Sequence, residues 1–175
     1  FKKELLDSEK EAAELNMITD LLRNDLGKVC EVGSVRVEGS RLISVCPTVF
    51  HTYSKIVGKI HSKVSPVSAL ISMLPGGSIT GCPKKRAMEV IDELEPNTRG
   101  LYTGVIGQIS SSDDFDFNIA IRTIMKKGKN LFLQVGGGIV LDSGMDDEFN
   151  EALIIGIVVS KTGDVPLVIH ISNSV

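Results

Sequence analysis

Apolar residues recur at helical spacing in four parts of the chain. Ser8 and Glu11 form a capping-box pattern, and apolar residues then follow at intervals of three and four before Gly27. Prolines at positions 66 and 83 stand where further helices would begin, because proline is favoured in the first turn. The predicted helices cover about residues 8–26, 66–73, 83–96 and 145–158.

Alternating apolar and polar residues predict strands in the rest of the chain. Around Val35 and Val37 the alternation indicates a β-hairpin with a turn at residues 38–40. Further strands are expected at about residues 51–60, 101–110, 115–127 and 130–141, and the tail 159–175 is expected to hold a turn and a β-like apolar run. Short polar turns join the last three strands into an antiparallel meander. We therefore predict an α+β fold of antiparallel sheets with packed helices, in one unit over residues 1–175.

Composition narrows the class of protein. The chain has 175 residues, of which 42% are hydrophobic and 23% charged, as in a soluble domain with a core. A net charge of -3 argues against nucleic acid as a partner, because there is no overall basic field. The charged first residues and the lack of an apolar run of about 20 residues argue against a signal peptide and a membrane span. The three cysteines form neither a disulfide framework nor a zinc motif, which favours a reducing cytoplasm.

Two pairs of glutamates are candidates for metal binding. Glu11 and Glu14 lie three residues apart on the first predicted helix, and Glu148 and Glu151 lie three apart on the last, so each pair projects from one helical face. If the two helices meet, the pairs offer the oxygen ligands that Mg²⁺ prefers. The alternative, which this spacing alone more often indicates, is that both pairs are solvated surface residues.

Two glycine-rich segments are candidates for ligand binding. The loop at residues 76–81 leads into a predicted helix, where backbone N–H groups favour an anion. Its spacing does not match a Walker loop, and a loop of this kind is more often a structural turn. The triplet at residues 136–138 interrupts a predicted strand, which indicates either a bulge or the close approach of a ligand to the backbone.

Three polar side chains lie in apolar or strand-end contexts. Arg122 belongs to the apolar run FNIAIRTI, where a buried guanidinium would need an anionic partner from the protein or from a ligand. Tyr102 and His51 lie near strand ends, where such residues are more often structural than catalytic.

Five longer segments, in this order, resemble the C-terminal part of the chorismate-utilising enzymes. The segments are AAELNMITDLLRNDLG (12–27), PGGSITGCPKKRAMEVIDELEP (75–96), RGLYTGVIGQI (99–109), FNIAIRT (117–123) and GGGIVLDSGMDDEFNEAL (136–153). The resemblance covers about residues 8–153. The sequence PGGSITG at residues 75–81 favours the aminodeoxychorismate synthase branch of the family, which leads to para-aminobenzoate, over the anthranilate synthases.

The resemblance implies a magnesium site. Glu14 and Glu151 match the residues that hold Mg²⁺ directly in the family, and Glu11 and Glu148 match positions behind them that act through water. In the family this metal meets the ring carboxylate of chorismate.

The resemblance also implies residues that hold and convert the substrate. Arg122 and Tyr102 match residues that hold the enolpyruvyl carboxylate, and the glycine triplet completes that cradle with its N–H groups: Gly136, Gly137 and Gly138. Three positions match catalytic residues: His51 near the ring hydroxyl that leaves, Ser78 beside the substrate, and Lys84 as an electrostatic contributor.

The implied activity is the conversion of chorismate to 4-amino-4-deoxychorismate for folate biosynthesis, with ammonia from a glutamine amidotransferase subunit. Anthranilate or isochorismate/salicylate chemistry is one alternative, and a non-catalytic partial domain that acts in association is another. In the family the domain extends further at its N-terminal side and includes a Pro-Ile-Lys-Gly-Thr segment with a nucleophilic lysine. We therefore expect an incomplete C-terminal portion with a divergent tail at 159–175, which is inactive alone and associates with itself or with another chain.

Overall fold

A computed structural model describes residues 2–46, 50–112, 114–141, 143–160 and 167–171. The fold is α+β, as predicted, and the chain divides into two compact units, Phe1–Ser78 and Ile79–Val175. The first unit contains α1 (Lys2–Asp7), α2 (Glu9–Gly27), β1 (Arg36–Val45), β2 (Phe50–Val57), α3 (Pro66–Met73) and the start of the short α4 (Gly77–Thr80). The second contains α5 (Lys84–Leu94), β3 (Val105–Ile109), β4 (Phe115–Ile119), β5 (Ile124–Lys127), β6 (Asn130–Val135), α6 (Met145–Ser160) and β7 (Leu167–Ile171).

The predicted helices are confirmed, and their capping residues explain where they begin. The Ser8 hydroxyl accepts a hydrogen bond from the Glu11 N–H at 3.2 Å, which starts α2 where the capping box indicates. The Ser65 hydroxyl caps α3 in the same way through the Ser68 N–H at 3.1 Å. The additional helix α1 was not predicted from the sequence.

The turn predicted at residues 38–40 is wrong. These residues lie inside β1, which continues to Val45 and pairs antiparallel with β2. The pairing of β1 with β2 shifts register on both sides of Gly39, as in a β-bulge, and Arg41 has a φ of 52°. The strand therefore takes up its unpaired residues in an irregular stretch and does not reverse direction at 38–40. The strand expected at 51–60 is β2, the partner of β1.

The core of the first unit is formed by residues that directly follow α2, together with residues of α3. Val29, Cys30 and Ala69 are buried together, and partly buried apolar residues pack against them: Leu26, Val35, Val64 and Met73. Burial raises the pKa of the Cys30 thiol, so this cysteine is a small apolar core residue.

The strands of the second unit form two sheets, so the prediction of a single meander is wrong. β3 pairs antiparallel with β4 in one sheet, while β5 and β6 pair antiparallel in the other. The strand predicted at 115–127 is split between these sheets, because Arg122 has a φ of 51°, outside the extended region. The strand predicted at 130–141 ends at Val135, just before the glycine triplet.

The β-like run expected in the tail is strand β7, which pairs parallel with β6. The rest of the predicted turn, residues 161–166, and the last residues, 172–175, lie outside the described residues. Across the ranges that the structure describes, none of the helices has both the length and the hydropathy needed to cross a membrane.

The core of the second unit centres on Leu133 in β6, which is fully buried. We expect Leu133→Ala to lower the free energy of unfolding by about 2–5 kcal/mol, because the truncation leaves a cavity in a packed core. The control Leu94→Ala removes an exposed side chain and should change this free energy by less than about 0.5 kcal/mol. Urea denaturation measures both, and equal changes in the two variants would contradict this placement of the core.

Candidate functional site

The first predicted glutamate pair lies on α2. Glu11 is exposed near the start of the helix, and Glu14, one turn later, is partly buried. Their spacing places both carboxylates on one face of α2, as predicted from the sequence.

The second glutamate pair lies on α6 and is asymmetric. Glu148 is buried, with 5% of its surface exposed, whereas Glu151 is exposed. Glu148 belongs to the first turn of α6, where the positive end of the helix dipole favours a carboxylate. A charge so far from water is retained only where positive charge or hydrogen-bond donors face it.

Glu148 explains the glycine at position 137. A Cβ atom built on Gly137 would lie 3.0 Å from the Glu148 Oε2 atom, which is too close for an ordinary contact. The triplet follows β6 instead of interrupting it, so it is not a bulge within that strand. A protein carboxylate thus lies close to the backbone at Gly137, where two of the predicted site motifs meet, and the approach of a ligand to the triplet stays a prediction.

The donor chemistry of the glutamates fits Mg²⁺, which takes carboxylate oxygens together with water. In the glutamate pair of α6, the buried Glu148 supplies a carboxylate beside Gly137. Within the described ranges, no three His, Cys, Asp or Glu side chains are grouped so as to hold a metal ion. The magnesium site that joins the pairs from α2 and α6 therefore stays a prediction.

The glycine-rich loop at 76–81 contacts an anion that belongs to the protein. The Gly77 N–H donates to the Asp25 Oδ2 atom at 2.8 Å, and the other oxygen of Asp25 accepts from the Lys28 ammonium at 2.7 Å. Asp25 is only 3% exposed. A Cβ atom on Gly77 would lie 3.4 Å from the Asp25 Oδ2 atom, an ordinary contact distance, so the anchor is the Gly77 backbone N–H. The loop is thus fastened to the end of α2.

The three predicted catalytic positions have different environments. Ser78 is partly buried in α4, next to the anchored Gly77, and Lys84 is partly buried at the first residue of α5. His51 is exposed in β2, where it pairs with Ser44. Their catalytic roles stay predictions.

Tyr102 and Arg122 belong to two segments that are hydrogen-bonded to each other. The Thr103 N–H donates to the Ala120 carbonyl at 3.0 Å, and the Ala120 N–H donates to the Gly104 carbonyl at 2.8 Å. The turn that carries Tyr102 is therefore fixed beside the segment that leads to Arg122. The expectation that Arg122 is buried within a strand is wrong, because its positive φ places it in the exposed link between β4 and β5.

Sequence reasoning missed two residues beside Tyr102. The Arg99 guanidinium carbon lies 5.7 Å from the centre of the Tyr102 ring, and the same guanidinium binds the Glu95 carboxylate through two nitrogens. The spacing of four between Glu95 and Arg99 was available as a signal. Such a spacing indicates a contact only within a helix, and Arg99 lies beyond both the predicted helix at 83–96 and the observed end of α5 at Leu94.

Comparison with known proteins decides the family. The model of the chorismate binding enzymes matches residues 1–154. The chain belongs to this family. The resemblance seen in its motifs is thereby confirmed, over nearly the range that the motifs indicated.

Two relatives in this family have different activities at similar identity. Aminodeoxychorismate synthase component 1 of Bacillus subtilis is 46% identical over 149 residues, which are 85% of this chain and 32% of that protein. Anthranilate synthase component 1 of Spirochaeta aurantia is 45% identical over 148 residues, which are 85% of this chain and 31% of that protein. The chain spans about a third of the length of these curated relatives.

A solved structure of a chorismate binding enzyme supports the fold. Anthranilate synthase component I from Streptococcus pneumoniae has a TM-score of 0.74 and is 39% identical, covering 87% of this chain and 35% of that chain. The α+β fold predicted from the sequence is thus shared with a solved family member.

We expect Asp25→Ala to lower the free energy of unfolding by about 2–3 kcal/mol, because it leaves the buried Gly77 N–H without its acceptor. The matched control is Asp20→Ala on the same helix, whose carboxylate forms an exposed ion pair with Arg23 at 2.9 Å. The control should change this free energy by less than about 0.5 kcal/mol. Urea denaturation compares the two, and a control as destabilising as Asp25→Ala would rule out the loop anchor.

Proposed function

We propose that this chain carries part of a magnesium-dependent site that converts chorismate to 4-amino-4-deoxychorismate, with ammonia from a glutamine amidotransferase subunit. The family match over residues 1–154 is the observation that carries the proposal. The approach of Glu148 to Gly137 supports it, since it joins an acidic motif to the glycine triplet within one unit.

The proposed metal ligands are Glu14 and Glu151, with Glu11 and Glu148 acting behind them through water. Burial suits Glu148 to the indirect role, because a carboxylate held in place beside the backbone can orient a water molecule or a neighbouring ligand. When bound, Mg²⁺ would supply positive charge to the ring carboxylate of chorismate and offset its repulsion from the glutamates.

The second carboxylate of chorismate needs a separate cation. Arg122 supplies a guanidinium that can grip a carboxylate with two parallel hydrogen bonds, and its exposure leaves it accessible to a ligand. Tyr102 and the N–H groups of Gly137 and Gly138 complete this proposed cradle. The backbone bonds around Ala120 support the assignment, because they hold the segments of Tyr102 and Arg122 together.

Loss of the ring hydroxyl needs a donor to the oxygen that leaves. We assign this role to His51, because a histidine side chain can act as a general acid towards a leaving oxygen. Ser78 would hold the substrate from the anchored glycine-rich loop, and Lys84 would contribute positive charge.

Anthranilate formation is the second candidate. It is favoured by the 45% identity to the anthranilate synthase of Spirochaeta aurantia, which is close to the 46% identity to the aminodeoxychorismate synthase of Bacillus subtilis. Both reactions use chorismate and ammonia, so product identity separates them.

We expect calorimetry to detect weak chorismate binding by the chain that requires Mg²⁺. Glu148→Gln should weaken this binding about tenfold, because a group that orients metal ligands is worth roughly that factor. Asp146→Asn is the matched control, since it removes one exposed carboxylate from the same helical turn. Chorismate binding that is indifferent to Mg²⁺, or equal losses in the two variants, would contradict the metal assignment.

We also expect no turnover when the 175 residues alone are incubated with chorismate, ammonium and Mg²⁺, since curated relatives are about three times as long. Mass spectrometry checks this directly. Detection of 4-amino-4-deoxychorismate would contradict the expected inactivity and favour the proposed branch. Detection of anthranilate would contradict the expected inactivity and also the proposed formation of 4-amino-4-deoxychorismate.

A further inference from the structure

A largely buried ion pair lies directly after helix α5. The Arg99 Nε atom donates to the Glu95 Oε2 atom at 2.9 Å, and the Nη2 atom donates to Oε1 of the same carboxylate. The two side chains are only 12% and 11% exposed. Such a two-point contact fixes the plane of the guanidinium as well as its position.

The fixed guanidinium makes two further contacts. Its Nη1 atom donates to the Ile79 carbonyl at 3.3 Å, at the residue that follows Ser78 in the chain. Its central carbon lies 5.7 Å from the centre of the Tyr102 ring, within the range of a cation–π interaction. The Tyr102 N–H also donates to the Arg99 carbonyl at 2.9 Å. The Arg99 guanidinium therefore contacts the ring of Tyr102, while the Arg99 main-chain carbonyl binds the Tyr102 backbone.

We infer that Arg99 is a positioning residue for chorismate: it fixes the ring of Tyr102 and the backbone at Ile79 on which substrate contacts depend. The inference rests on the proposed function, in which Tyr102 holds the enolpyruvyl carboxylate. Arg99 itself does not need to touch the substrate, because its charge is already matched by Glu95.

The energetics favour a positioning role over a purely stabilising one. A buried ion pair gains little net stability, since the cost of removing two charges from water offsets their attraction. What it supplies is a defined geometry for the groups around it. An ion pair elsewhere on α5, between Arg86 and Glu89 at 3.1 Å, is exposed and holds no aromatic ring among the described contacts.

The composition of the chain allows the Tyr102 ring to be observed alone. The chain contains two tyrosines and no tryptophan. In a Tyr53→Phe background, the tyrosine signal in near-UV circular dichroism therefore comes from Tyr102. This signal is strong when the ring is held in a fixed asymmetric environment, and it requires no substrate.

The test compares three variants in that background. Arg99→Met combined with Glu95→Gln removes both charges, so that no unmatched carboxylate is left buried. Arg99→Lys keeps the charge but lacks the planar fork. Arg86→Met combined with Glu89→Gln is the matched control on the exposed pair. Far-UV circular dichroism establishes that each variant is folded.

We expect the buried-pair variant to lose most of the Tyr102 signal and to bind chorismate about tenfold more weakly in calorimetry, because a small displacement of a holding group weakens the contact it makes. Arg99→Lys should retain part of the Tyr102 signal and part of the chorismate affinity. The control on the exposed pair should leave the signal and the affinity unchanged. An unchanged Tyr102 signal in the buried-pair variant would overturn the inference, as would a lost signal with unchanged chorismate affinity. If the starting chain binds no chorismate, the proposed function fails, and the Tyr102 signal alone decides whether Arg99 fixes the ring.

Discussion

A carboxylate that folding removes from water must be matched inside the protein, and three carboxylates that are buried or nearly buried organise this chain. Asp25 is matched by the Lys28 ammonium and the Gly77 N–H. Glu95 is matched by the Arg99 guanidinium. Glu148 lies in the first turn of α6, against the backbone of Gly137. Each of these carboxylates lies within one of the sequence segments that resemble the chorismate binding enzymes.

The contacts of Asp25 and Glu148 show what lies next to the two glycine-rich motifs in the folded chain. A glycine-rich loop and a glycine triplet both look like ligand sites in a sequence, yet each has a protein carboxylate as its neighbour. A side chain at position 137 would bring its Cβ atom to 3.0 Å from the Glu148 Oε2 atom, which is tighter than an ordinary contact. Two residues of the proposed substrate site, Ser78 and Gly138, follow these anchored glycines directly in the chain.

The sequence predicted those elements whose ends are set by residues close to each other in the chain. The starts of α2 and α3 follow from the hydroxyls of Ser8 and Ser65, which lie within three residues of the N–H groups they accept from. The strand breaks could not be predicted in this way, since the positive φ values of Arg41 and Arg122 are unusual for arginine. The Asp25–Gly77 contact joins residues 52 positions apart, so only the folded chain reveals it. The glutamate motifs were found from the sequence, but the burial of Glu148 was not.

The proposed magnesium site requires that glutamates from α2 and α6 share one divalent ion. Mn²⁺ takes the same oxygen ligands as Mg²⁺ and broadens the NMR signals of nearby nuclei. Titration of the isotope-labelled chain with substoichiometric Mn²⁺ therefore tests the claim directly. We predict that the amide signals of Glu14 and Glu151 broaden together and recover when Mg²⁺ is added in excess. Broadening confined to one of the two helices would contradict a shared site.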